Sequence, residues 1–136
     1  LGDNIAGTKT YIQTQTTQTS LTTIFTVPVK IATWDLFNNG FAGTVMVTFL
    51  NENSYTQIDQ LTVLHSNNNY NFITNNGQIA VKQDGGGYAV TATMAIYTLD
   101  QDPDSGWLSM YAQGTDNLPE TGDGQFTVHS TLNLTP

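Results

Sequence analysis

A chain of 136 residues supports one domain around a single core. It contains no cysteine, which excludes a disulfide scaffold and thiolate metal sites. Three scattered lysines, no arginine and a formal net charge of −8 exclude the basic patch that phosphate contacts need, so nucleic acid is not an expected partner.

Only 10% of residues are charged, so neutral hydroxyls and amides must cover most of the surface. No apolar run approaches a membrane span, and no membrane partner is expected. Residues 1 to 20 carry few apolar anchors within a Thr/Gln run, TKTYIQTQTTQT, of high β-propensity. Two readings fit: an edge strand of the same domain, or a polar arm that adds a strand to a neighbouring subunit through Thr8, Thr10, Tyr11, Ile12 and Thr14. Residues 21 to 136 are expected to form the main domain. Leu21 to Ile31 reads as a strand, with Leu21, Phe25, Val27 and Val29 alternating against Thr22, Thr26 and Pro28. Pro28 then marks an edge, a bulge or the strand end, because it cannot donate to a ladder. Thr44 to Leu50 alternates cleanly, with Val45, Val47 and Phe49 on one face, and suits a central strand.

The clearest pattern runs from Gln60 to Val81, QLTVLHSNNNYNFITNNGQIAV. It predicts a meander of three short strands, turning at Asn67-Asn68-Asn69 and again at Asn76-Gly77, since Asn tolerates and Gly readily adopts the left-handed region. Leu61, Val63 and His65 share one face. Asp84 to Gly87 is a further turn, and Tyr88 to Leu99 is the longest expected strand. Ala and Met there suit a helix, but the β-branched Val90, Thr91, Thr93 and Ile96 and the alternation favour a strand. An acidic loop from Asp100 to Gly106, a strand from Trp107 to Ala112, a polar loop from Gln113 to Gly124 and a last strand through Phe126 to Leu134 complete the chain. Eight or nine short strands without a clear helix or a βαβ pattern give an all-β fold, an antiparallel β-sandwich of jelly-roll type.

Chemistry-bearing residues are sparse. Asp100, Asp102 and Asp104 alternate ahead of a glycine and could converge on calcium, the one cofactor the sequence suggests. The glycine comes one residue late for an EF-hand loop, however, and Tyr111 occupies the twelfth position, so a solvated acidic loop is the competing reading. Asp116, Glu120 and Asp123 form a looser acidic group. His65 and His129 are the only imidazoles, and without a G-x-S-x-G nucleophile turn they read as strand histidines bonded to neighbours. Glu52 and Glu120 lie in expected loops with no partner acid. No catalytic constellation emerges, and the chain is not expected to be an enzyme. Trp34 and Trp107 read as core residues by default, or as a glycan-stacking platform in a receptor- or carbohydrate-binding module.

The meander carries a family resemblance. Leu61, Val63 and His65, then Tyr70, Gly77 and Ile79, and later Gly106-Trp107-Leu108 resemble a β-sandwich module that recurs in structural proteins of tailed phages, notably those of cyanobacteria and marine bacteria. The resemblance spans about Val45 to Leu134. The acidic loop at Asp100 to Ser105 and the long loop from Gln113 depart from it. It implies a virion location and a capsid decoration (cement) protein, with the major capsid protein or other virion subunits as partners and a homotrimer as one possible assembly. It carries no catalytic residues over. The alternative is a receptor- or glycan-binding module of a tail fibre or spike.

Overall fold

The computed structural model describes residues 9–35, 40–66, 71–102, 104, 107–119 and 121–135. In chain order the elements are β1 (Lys9–Ser20), α1 (Leu21–Thr26), β2 (Val29–Trp34), β3 (Gly40–Asn51), β4 (Tyr55–His65), β5 (Asn71–Asp84), β6 (Gly87–Val90), β7 (Ala95–Gln101), β8 (Leu108–Gly114) and β9 (Asp123–Thr135). They build an all-β sandwich of two antiparallel sheets. One has six strands in the order β1-β9-β3-β4-β5-β6, and the other has three in the order β2-β8-β7.

Alternation decides which face each strand buries. Along β3, Phe41, Val45, Val47 and Phe49 are buried, while Met46 and Leu50 point to solvent. β9 supplies Phe126, Val128, Leu132 and Leu134 to the same layer, and β8 answers from the small sheet with Leu108, Met110 and Ala112. Phe49 and Phe126 stack with ring centroids 4.5 Å apart, and Tyr97 meets Phe126 edge-on. At Gly43 β3 and β9 approach so closely that an added Cβ would strike the Thr131 carbonyl oxygen.

Three expectations are corrected. Leu21 to Ile31 is not one strand: its first six residues form α1. Ser20 caps it, its hydroxyl accepting the Thr23 N–H at 3.2 Å, and Leu21 and Ile24 bury at helical rather than strand spacing. Val27 is extended ahead of Pro28, where the helix stops. Asn76-Gly77 is not a turn either. β5 runs unbroken from Asn71 to Asp84, pairing Leu61 with Asn75 but Gln60 with Gly77, so Asn76 is the extra residue of a β-bulge. The other meander turn, Asn67 to Asn69, lies outside the described residues. Tyr88 to Leu99 is likewise two strands: β6 closes a hairpin on β5 through Gly85 at φ +63°, and the chain then crosses between sheets at 91–94 to begin β7.

Residues 9 to 20 occupy the edge of the large sheet as β1, paired with β9 of the same chain from Lys9↔Leu134 to Ser20↔Asp123. The main-chain bonds that an exchanged arm would offer a neighbour are made internally along this edge.

Candidate functional site

Asp100, Asp102 and Asp104 do not converge. Asp100 sits on β7, its carboxylate accepting the Gln101 N–H. Asp102 is buried at the end of that strand: one carboxylate oxygen accepts the Asp104 N–H at 2.9 Å, and the other meets the Lys30 ammonium at 2.5 Å. That hydrogen bond raises the Lys30 pKa above its ordinary value, with the charge of the same carboxylate adding to it. The neighbouring Tyr111 phenol is also pushed up, first by burial and then by the Asp102 charge. Asp102 thus has its oxygens committed to the chain's own donors, and no group of three metal-ligating side chains occurs among the described residues. The calcium expectation for these three residues is corrected accordingly.

The tryptophans separate as well. Trp34 is buried, its indole N–H donating to Ser130 Oγ at 3.2 Å and its ring 6.3 Å from Phe41, whereas Trp107 is 40% exposed at the start of β8. A two-tryptophan sugar platform is therefore not formed, because one ring is a core residue. His65 packs on Phe41 and bonds Asn71 through Nδ1, while His129 lies on the opposite face of the large sheet and bonds Thr14 Oγ1 at 2.8 Å. The two imidazoles cannot act on one substrate. Glu120 lies outside the described residues, as does Thr8; of the remaining β1 candidates, Thr10, Ile12 and Thr14 face outward and Tyr11 packs against the core.

The sequence reading missed a buried polar network between the sheets. Gln57 and Asp59 follow the inward parity of Leu61 and Val63 on β4, and both are fully buried. Asp59 Oδ1 accepts Asn75 Nδ2 at 2.9 Å and Gln78 Nε2 at 2.5 Å; Oδ2 accepts Gln57 Nε2 at 2.9 Å and the Tyr97 hydroxyl at 2.8 Å. The bulge makes this possible. With strict alternation Asn75 and Gln78 would face opposite sides, and the extra residue at Asn76 turns both inward. Burial, and then the Asp59 charge and hydrogen bond, push the Tyr97 phenol pKa far above its ordinary value near 10.

Two glutamine amides tie the sheets together at opposite edges of the small one. Gln57 Oε1 accepts the Met94 N–H at 2.7 Å, and its Nε2 donates to the Ala95 carbonyl at 2.9 Å, holding the crossover into β7. Gln15 does the same to β2, accepting the Thr33 N–H at 3.0 Å and donating to the Thr33 carbonyl at 3.1 Å. Each side-chain amide replaces a missing neighbouring strand, so both edges of the small sheet are partly closed by the large one.

The outward face of the large sheet differs in kind. Across β9, β3, β4 and β5 the register places Thr131, Thr44, Thr62 and Thr74 in one row, and Thr16, Thr127 and Thr48 in another. Apolar residues oppose one another in the outward pairs Leu64↔Phe72, Ile58↔Ile79 and Val81↔Val90. From the row of Gln18, Leu50 and Thr56 to the row of Thr10, Ala42 and Phe72, no Asp, Glu, Lys or Arg points outward among the described residues; Glu52 and Asp123 lie beyond the first of these rows.

No family model matches the chain, and neither the curated proteins nor the solved structures contain a significant match.

Proposed function

We propose that the protein is a structural component of a phage virion, a capsid decoration protein that stabilises the particle by bridging coat subunits. The observation that carries this reading is the cross-braced sandwich. Gln15, Gln57 and the Asp59 network spend their polar groups on locking the two sheets to one another. A block of fixed shape gives up little conformational freedom when it docks, which is the property a bridging protein needs. Many weak contacts from such blocks then sum on a repeating lattice. The composition agrees: a sparsely charged, cysteine-free, acidic β-sandwich owes its stability to packing and hydrogen bonds. The phage-module resemblance at Leu61, Val63 and His65 supplies the virion setting, and the major capsid protein is the partner it suggests.

The test is sedimentation of the purified protein with undecorated heads of a candidate phage. Binding at a fixed, saturable stoichiometry is the expected result, weakened by Ile12→Glu on the exposed outer side of β1. Failure to co-sediment with heads would count against the reading.

A further inference from the structure

We propose that two copies of this chain associate face to face through the uncharged outward face of the six-stranded sheet, anchored on the apolar side chains of β4, β5 and β6. Three observations lead there.

The first is the distribution of charge. A chain of net −8 carries eleven acidic residues, yet the described part of this face, between its two end rows, shows none and no cation. Two copies of one acidic molecule repel wherever their charged surfaces meet, and like charges brought together at contact cost several kcal/mol. They can approach through a surface from which charge has been removed. A charged partner would be matched by opposite charge, which this face does not offer. An uncharged partner surface is what fits it, and the chain carries one.

The second is the exposed apolar content. Phe72 is 56% exposed, Ile79 62% and Val90 83%, all on β5 and β6, with Ile58 and Leu64 beside them on β4. The outward pairs Ile58↔Ile79, Leu64↔Phe72 and Val81↔Val90 each join two apolar side chains across a strand boundary, with Gln60↔Gly77 and Thr62↔Thr74 between them, so the exposure is concentrated on three neighbouring strands. The β1–β9 side is mainly Thr, Gln, Asn and His, apart from Ile12.

The third is size. Strands about 4.8 Å apart and a repeat of about 6.7 Å for every two residues give the whole face roughly 25 by 30 Å. That is about the 800 Å² per partner of a standard stable interface. Two sheets packed face to face at about 10 Å, with interdigitated side chains, repeat the geometry of a sandwich interior. Such a contact uses the same patch twice and closes as a twofold dimer. The proposal stands on the sheet itself and does not depend on the virion reading, because heads can bind a monomer or a dimer.

Sedimentation velocity of the full chain over roughly 1 to 100 µM tests it. The expected result is a reversible monomer–dimer equilibrium that strengthens as salt rises from about 0.05 to about 0.5 M, because salt screens the repulsion between the acidic remainders. The double variant Leu64→Lys, Ile79→Lys should weaken association at least about 100-fold. It also makes the net charge less negative, so general electrostatics alone would move association the other way. A wild-type monomer at every concentration, a trimer, or undiminished association of the variant would overturn the proposal. Hydrogen exchange of the wild type at the two concentration limits gives an answer that needs no variant. Protection gained in β4, β5 and β6 is expected, and protection gained instead in β2, β7 and β8 would overturn it.

Discussion

The two faces of the six-stranded sheet are made by the same strands, yet they handle polar groups in opposite ways. On the inner face a polar side chain is bonded into the core: Asp59 accepts from four neutral donors, and Gln57 completes the backbone of the crossover into β7. On the outer face polarity is supplied by neutral hydroxyls, amides and an imidazole, while apolar side chains stay exposed among them. Buried polarity without water must be satisfied in place, so the inner face is fixed in geometry. Solvated threonine needs no fixed partner, and the outer face is free to meet another surface. Residues 58 and 59 show the difference between neighbours in the chain: Ile58 faces out beside Ile79, and Asp59 faces in beside Tyr97.

The largest break in this contrast is expected from Asp59→Ala. It removes the acceptor of four donors, among them the buried Gln57 amide and the Tyr97 hydroxyl, and should cost about 3 to 5 kcal/mol, read from urea unfolding. Gln57→Ala removes the bonds to Met94 and Ala95 and should cost about 2 to 3 kcal/mol, with faster amide exchange at the start of β7. At the opposite edge Gln15 is only half-buried, so water can replace it, and Gln15→Ala should cost about 1 kcal/mol.

Tyr97→Phe sharpens the comparison through pH. The phenol pKa is raised on folding, so the unfolded chain ionises first as pH climbs past its ordinary value near 10. The stability this group contributes is complete below that pH and is lost above it. The variant should lose about 1 kcal/mol at neutral pH and show a flatter decline under alkaline conditions, measured by urea unfolding from neutral to alkaline pH. The smallest effect belongs outside: Thr62→Ala on the outward row should stay within about 0.5 kcal/mol in the same assay.

Much of the sandwich was legible in the sequence because alternation survives wherever one face is dry. Val45, Val47 and Phe49 on β3, and Phe126, Val128, Leu132 and Leu134 on β9, sit inward as their spacing predicts. The misreadings have local causes. α1 was hidden because its Leu and Ile spacing is confounded by β-branched threonines, and its start depends on a single serine cap. Asn-Gly serves both a hairpin turn and a bulge; Asp59, a sequence-distant acceptor bonded by both Asn75 and Gln78, decides for the bulge. A sequence signal for the network did exist. Gln57 and Asp59 continue the parity of Leu61 and Val63, which places two polar residues at core positions and asks for partners. Nothing local identified Tyr97 or Gln78 as those partners. The acidic loop misled for the opposite reason: alternate carboxylates suggested a cation, and Lys30, 72 positions away, supplied one.

The most direct test of the division between the two faces is urea unfolding of Ile58→Thr beside Asp59→Ala at low micromolar concentration, where association contributes little. The predicted result is a midpoint near wild type for Ile58→Thr and a loss of about 3 to 5 kcal/mol for Asp59→Ala. Equal losses from the two neighbours would contradict it.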